Sequence, residues 1–107
     1  MKLGGGLKDL MKQAEKLKED MEKVQNEAGE EIVEASSGGG MVTVTAKAKG
    51  EIMSIRIDPE IAGDKDTEML EDLLGAAVNE ALLRGKKMMK EKISEVTSGL
   101  GLPPGLL

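Results

Sequence analysis

No phenylalanine, tyrosine or tryptophan occurs among the 107 residues of this chain. Aromatic side chains bury the largest apolar areas, so the core must be assembled from leucine, isoleucine, valine, methionine and alanine. A chain of this length forms one domain and buries only about two-thirds of the surface that it exposes when unfolded. Such a thin core favours a fold that gains further apolar contacts from a second copy of the chain.

Histidine and cysteine are absent as well. Their absence excludes Ser-His-Asp triads, thiol nucleophiles, zinc fingers, iron–sulfur sites and a disulfide framework. The N-terminal segment lacks the apolar run of a signal peptide, and no stretch is long and apolar enough to cross a bilayer. We therefore expect a cytoplasmic protein that is not an enzyme and has no cofactor, metal, membrane partner or small-molecule substrate.

Apolar residues at alternating steps of four and three mark the first helix. This heptad seam consists of Leu3, Leu7, Leu10, Ala14, Leu17, Met21, Val24 and Ala28. A 3.5-residue repeat over three heptads is the pattern by which one helix packs lengthwise along another. Because Gly4, Gly5 and Gly6 disfavour a helical first turn, we predict a helix from about Leu7 to Gly29, where glycine suits a helix C-terminus.

Three segments with alternating polarity and many β-branched residues follow, and they are predicted to be strands. They cover residues 31–36, 41–48 and 51–57. In the second segment Val42 and Val44 face one side and Thr43 the other, while Met53 and Ile55 share the apolar side of the third. One face of the sheet should be buried and the other solvated. The glycine-containing turns between segments predict consecutive antiparallel hairpins.

A second long helix is predicted over about residues 65–97, with acids in its opening turns and bases near its end, as the helix dipole favours. Ala77, Ala81 and Gly85 form a stripe of small residues that lets another backbone approach closely. Residues 1–98 then form a single domain, and residues 99–107, rich in proline and glycine, form a flexible tail.

The predicted architecture is α+β, in the order α-β-β-β-α, with two long helices flanking a three-stranded antiparallel sheet in a dimer. The heptad seam, the exposed sheet face and the small-residue stripe all remain candidate dimer interfaces. The candidate core or dimer residues are Leu10, Leu17, Met21, Val42, Val44, Ile55, Ala77, Ala81 and Gly85.

Positive charge is concentrated in two segments although the chain carries a net charge of −5. Residues 2–18 and 84–92 have net charges of +3 and +4, whereas residues 19–27 and 66–80 have −3 and −5. If both helices project from the sheet, each subunit presents a basic tip on an acidic body. The helix dipole explains bases at the end of the second helix but not lysines at the start of the first, where a phosphate backbone would explain them.

The candidate DNA contacts are therefore Lys2, Lys8, Lys12, Lys16, Lys18, Arg84, Lys86, Lys87, Lys90 and Lys92. Single-strand binders and most RNA modules stack bases on aromatic side chains, which this chain lacks. Duplex DNA contacted through its phosphates remains as the expected partner. Lysine outnumbers arginine, the residue of sharp base recognition, so the sequence preference should be weak.

Several other motifs have simpler structural interpretations. The Gly38–Gly40 run is not followed by Gly-Lys-Ser/Thr, so we interpret it as a hairpin loop rather than a phosphate-binding loop. Asn79 could fix the register of a helix or a dimer, or could lie on the surface. The eight methionines are expected to fill the core. Four acids that match no calcium loop are interpreted as helix caps or turn residues: Asp58, Glu60, Asp64 and Asp66.

Five segments in a specific order resemble the YbaB/EbfC nucleoid-associated proteins. They are residues 10–14 after the glycine-rich start, 57–59, 68–74, 76–79, and the tail at 98–99 and 102–105. The resemblance covers nearly the whole chain. It implies a bacterial homodimer with projecting, tweezer-like helices that both contact DNA, with relaxed sequence preference and a role in nucleoid organisation and gene regulation. It implies no enzymatic activity.

Two alternatives to DNA binding remain open from the residues alone. The heptad seam could engage a different chain, which would make the protein a protein–protein adaptor with negligible DNA binding at physiological salt. A small acid–base enzyme using Asp or Glu is the weaker alternative, because the predicted sheet has no pair of inward carboxylates.

Overall fold

The computed structural model describes residues 3–63 and 66–99. The predicted order α-β-β-β-α and the three-stranded antiparallel sheet are confirmed. Lys2 and residues 100–107 lie outside the described residues, and Gly99, the first residue of the predicted tail, is instead the last residue of the second long helix. The elements are α1 (Leu3–Gly29), β1 (Ile32–Ser37), β2 (Val42–Lys47), β3 (Glu51–Ile57), α2 (Pro59–Ala62) and α3 (Thr67–Gly99).

Both long helices differ slightly from their predicted bounds. α1 begins at Leu3 rather than near Leu7. Each glycine costs about 1 kcal/mol in a helix interior, but extending an existing helix adds a hydrogen bond per residue, so the glycines do not stop it. α3 begins at Thr67 because Asp66 Oδ1 accepts a hydrogen bond from Met69 N at 3.0 Å. Asp66 is thus a cap as predicted, while Asp64 lies outside the described residues.

The short helix α2 was not predicted, although the sequence contains its signal. Asp58 Oδ1 accepts a hydrogen bond from Glu60 N at 2.9 Å, and Pro59 occupies the first helical position. Aspartate at the N-cap followed by proline is a favoured helix start. Asp58 is therefore a helix cap, as the sequence predicted, and the short helix α2 places Ile61 in the core.

The three strands pair in chain order, and β2 lies in the middle. Val44 lies opposite Ala35 on β1 and Ile55 on β3. The β1–β2 connection is a 3₁₀ turn at Gly38–Gly40, as expected of a hairpin loop, and its glycines have positive φ angles that other residues rarely adopt. In β3 a bulge pairs Ala46 with Ile52, so Met53 is an extra residue that interrupts the predicted alternation.

α3 lies along one face of the sheet and covers β1 and β2. Val42 and Val44 are completely buried beneath Ala77 and Ala81. Gly85 approaches the backbone so closely that an added Cβ would lie 2.9 Å from the carbonyl oxygen of Ala48. The small-residue stripe therefore packs within the chain, where only small side chains let the helix approach the sheet.

The apolar face of β3 is left uncovered, because α3 packs on the other two strands. Ile55, one of the candidate core residues, is 47% exposed, and Ile52 is exposed as well. The prediction that the methionines fill the core is wrong for several of them, since Met11, Met41 and Met53 are exposed. The sheet thus presents an apolar surface along an unpaired edge strand.

α1 runs antiparallel to α3 and extends beyond it. Ala28 and Met21 of the heptad seam are buried, and Val24 and Leu17 are half-buried. Further toward the N-terminus the seam opens, and Leu10 is 63% exposed. The seam is therefore covered only where α3 accompanies it, and the first half of α1 projects from a molecule measuring 78 × 20 × 18 Å.

A cluster of four charges fastens the end of α1 to the β2–β3 turn. Glu30 accepts from Lys47 Nζ at 2.8 Å and from Lys49 Nζ at 3.0 Å, and both lysines also lie within 4 Å of the Glu51 carboxylate. Hydrogen bonds from Lys47 and then Lys49 hold the pKa of Glu30 below its ordinary value. The hydrogen bond to Glu30 raises the pKa of Lys49.

The lowered pKa of Glu30 predicts that the effect of Glu30→Gln on the stability of the fold depends on pH. A carboxyl whose pKa is lower in the folded chain stabilises the fold above its unfolded pKa, about 4.3, and loses that effect as the pH falls through its folded pKa. The urea midpoint of the native chain should exceed that of the variant at pH 7, and the difference should vanish in acid. A constant difference between pH 7 and pH 3 would contradict this account.

Candidate nucleic-acid interface

Three exposed lysines of the projecting half of α1 lie at four-residue intervals: Lys8, Lys12 and Lys16. This spacing places them on one face of the helix. Each lies two residues from Leu10 or Ala14 of the heptad seam. Residues that are two positions apart in a helix point to nearly opposite sides. We call this set the α1 stripe. Lys18 is exposed on a neighbouring side of the helix.

The basic residues of α3 are not at a tip, in contrast to the prediction from charge alone. Arg84 contacts β1, and an added Cβ at Gly29 would lie 3.8 Å from Met89 Sδ, so residues 84–89 lie beside the sheet and the end of α1. The reason is that the small side chains of the small-residue stripe let the first two-thirds of α3 pack along the sheet. The α1 stripe and the α3 bases are consequently roughly 25 Å apart, at ~1.5 Å per residue along α1.

Lys86 and Lys90 are exposed on the side of α3 that faces away from the sheet. They belong to a row of residues at steps of four and three along α3, and every member of this row is exposed and none is acidic. We call this row the outer stripe; it consists of Asn79, Leu83, Lys86, Lys90 and Ser94. Asn79 is thus on the surface. Ser94, which the sequence analysis did not single out, follows Lys90 by four residues and adds an exposed hydroxyl to this row. Lys87 is exposed at the side, and Lys92 is half-buried toward α1.

Arg84 is already engaged within the chain. Its NH1 group donates to the carbonyl oxygen of Glu34 at 2.7 Å, and Nε donates to Glu80 Oε1 at 3.2 Å. The bond to Glu34 holds α3 against the edge strand β1, while the bond to Glu80 lies within α3. A guanidinium directed to a carbonyl on its own sheet has fewer donors left for phosphate than the exposed lysines have.

We predict that Arg84→Met lowers the free energy of unfolding by about 0.5–1 kcal/mol, a modest effect because the bonds are exposed. Duplex affinity of the variant should remain within about twofold of native. Lys87→Met is the matched control, since Lys87 is exposed nearby and makes no such link; it should keep native stability and lose affinity. Urea unfolding and fluorescence anisotropy measure the two effects, and the reverse result would show that Arg84 contacts DNA.

Within residues 3–63 and 66–99, no group of three histidines, cysteines or acids is placed to hold a metal ion. No helix in those ranges is long and apolar enough to span a membrane. Asp58 and Asp66 both accept backbone N–H bonds at helix starts. The charged groups that the described surface gathers into rows without acids are the ammonium groups of the α1 stripe and the outer stripe.

The sequence profile of the YbaB/EbfC DNA-binding family matches residues 3–100, nearly the whole chain. The chain belongs to this family. A nucleoid-associated protein of Acetivibrio thermocellus is 52% identical over 103 residues, which cover 96% of this chain and 91% of the relative. Nucleoid-associated protein BAV0915 of Bordetella avium is 43% identical over 102 residues, covering 95% and 94%. The resemblance stated from the sequence is thereby confirmed.

A solved structure has a fold similar to that of this chain. The crystal structure of the uncharacterized protein HP0035 from Helicobacter pylori superposes with a TM-score of 0.60 at 24% identity. The match covers 73% of this chain and 90% of HP0035. At this level of identity the likeness concerns the arrangement of helices and strands.

Proposed function

We propose that this protein is a homodimer that binds duplex DNA through exposed lysines of its two long helices, with weak sequence preference. In this role it contributes to the organisation of the nucleoid and to gene regulation. The observation that carries the proposal is the pair of exposed lysine rows in a chain of the YbaB/EbfC DNA-binding family. Curated relatives are named nucleoid-associated proteins, which supports the same cellular setting.

The chemistry of the contacts supports phosphate recognition. Lysine is a compact charge on a flexible stem and neutralises a phosphate without a fixed geometry, whereas sharp base recognition commonly uses bidentate arginine. No aromatic side chain is available on which unstacked bases could lie. Binding should therefore depend on the charge density of a duplex more than on its sequence.

A competition experiment tests this directly. A labelled duplex bound to the protein is displaced by an unrelated duplex, by a G·C-rich duplex and by a single strand of equal length. The proposal expects the duplexes to compete within about tenfold of one another and the single strand to compete less well. Preference for one sequence by roughly 10³-fold or more, or for the single strand, would contradict it.

The homodimer is argued from the surfaces that the isolated chain leaves open. Of the three candidate interfaces, the small-residue stripe is used up inside the chain, since Gly85 packs on Ala48. The open half of the heptad seam and the apolar face of β3 remain, and we place the interface on β3, where Ile52, Met53 and Ile55 are exposed beside an edge that pairs with no other described strand. An exposed apolar edge strand favours pairing with another chain, and a two-fold dimer is the commonest assembly that covers such an edge.

We expect Ile55→Asp to shift the protein from dimer to monomer, because a carboxylate would lose its hydration in that interface. Ser54→Asp is the matched control, since its side chain lies on the opposite face of the same strand and should leave the dimer intact. Sedimentation velocity at micromolar concentration measures the change. An Ile55→Asp protein that sediments as the native dimer would place the interface elsewhere.

Adaptor function is the second candidate, and one observation favours it. The open half of the heptad seam, where Leu7 and Leu10 are more than half exposed beside the exposed Met11, is a surface on which another helix could pack. An adaptor would show negligible duplex binding at physiological salt and would lose its partner on Leu10→Ser. A DNA-binding protein would keep native duplex affinity in that variant.

A further inference from the structure

We propose that each chain binds two separate duplex segments, one on the α1 stripe and one on the outer stripe of α3, so that the protein bridges DNA. The proposal rests on the proposed DNA binding and extends it to the number of duplexes held. It follows from the directions in which the two stripes face, which the packing of the helices fixes.

The outer stripe faces away from the sheet. Ala77, Ala81 and Gly85 are buried against β1 and β2, and Lys86 and Lys90 are exposed on the other side of the same helix. α1 approaches α3 from the sheet side, because Gly29 lies beside both Lys49 of the β2–β3 turn and Met89. The outer stripe is therefore turned away from α1 as well as from the sheet.

The α1 stripe faces the opposite direction. Met21 and Ala28 of the heptad seam are buried, and this side of α1 lines a shared groove with Lys92 and Val96 of α3. The lysines of the α1 stripe lie two residues from seam positions and hence on the far side of the helix. Since α1 is one continuous helix from Leu3 to Gly29, its projecting half keeps that orientation.

The two stripes thus lie back to back on a body about 20 Å thick and are offset by roughly 25 Å along its length. A duplex that touched both would have to turn through about 180° within that distance. Bending by 40–90° over 20–30 base pairs already costs several kcal/mol, so a single stiff duplex occupies one stripe only. Each stripe carries its own donors, and the outer stripe adds the Ser94 hydroxyl to its lysines.

The number of short duplexes bound per chain tests the proposal. A duplex of about ten base pairs, ~34 Å long, that lies on one stripe cannot contact the other stripe of the same chain, because the two stripes face opposite directions. At low salt and saturating duplex, calorimetric titration and sedimentation should give two duplexes per chain of the native protein. Lys8→Glu/Lys12→Glu/Lys16→Glu and Lys86→Glu/Lys90→Glu should each reduce the count to one.

Arg56→Glu is the charge control, because Arg56 lies on β3 away from both stripes and its reversal should leave the count at two. One duplex or fewer per native chain, or a reversed stripe that leaves the count unchanged, would overturn the two-duplex proposal while DNA binding itself stands. Failure of the native protein to bind any duplex in the same titration would overturn both.

Discussion

Simultaneous reversal of the five stripe lysines should reduce duplex affinity by roughly 10²-fold at 100 mM salt, about 1 kcal/mol for each of the two or three phosphate contacts that a stripe loses. The fold should persist, because all five positions are exposed and substitutions there change stability little. The expected result is a DNA-binding defect in a folded protein with native thermal unfolding. The lysines are Lys8, Lys12, Lys16, Lys86 and Lys90.

The matched control replaces the same five lysines by arginine. Arginine keeps the positive charge and contacts phosphate at least as well, so affinity should stay within about threefold of native. Anisotropy of a labelled duplex measures both variants under the same conditions. Equal affinity of the glutamate and arginine variants would show that the duplex is held elsewhere on the protein.

Replacement of Gly85 by alanine should lower the free energy of unfolding by about 1–2 kcal/mol. The new Cβ would lie 2.9 Å from the carbonyl oxygen of Ala48 and 3.1 Å from its Cα. These are backbone atoms of the sheet, so the helix itself must shift and loosen the packing of Ala81, at a cost that exceeds the gain in helix propensity.

The same substitution at Gly75 is the control, because it occurs in the same helix with nothing within 4 Å of the added Cβ. Alanine there should stabilise the protein by about 0.5–1 kcal/mol through helix propensity alone. Urea denaturation of both variants gives the comparison. If Gly85→Ala were as stabilising as Gly75→Ala, the close approach of α3 to the sheet would be wrong.

The architecture could be predicted because two periodicities define it. Steps of four and three from Leu7 to Ala28 mark a helix, which is packed from Leu17 onward, and alternation around Val42 and Val44 marks a half-buried strand. The small-residue stripe also predicted a close backbone approach, and Gly85 makes one with Ala48. Such local patterns survive in the fold because each residue's burial follows from its own neighbours along the chain.

The position of the basic residues of α3 could not be predicted, because the small-residue stripe does not identify which backbone packs against it. Ala81 and Gly85 pack on the chain's own sheet, which keeps Arg84 beside Glu34 and away from any tip. The exposure of Ile55 was missed for a related reason. Alternation shows which side chains share one face of a sheet, but it does not show how many strands of that face a helix covers. Both errors concern contacts between residues far apart in sequence.

The central claim is that exposed lysines hold duplex DNA through its phosphates, and the salt dependence of the native protein's affinity tests it most directly. Anisotropy titrations of a labelled duplex from about 50 to 200 mM salt should show affinity falling by roughly 10- to 50-fold, with a linear plot of log affinity against log salt, because a stripe of two or three lysines neutralises as many phosphates. An affinity that hardly changes over this range, or no binding at the lowest salt, would contradict the account.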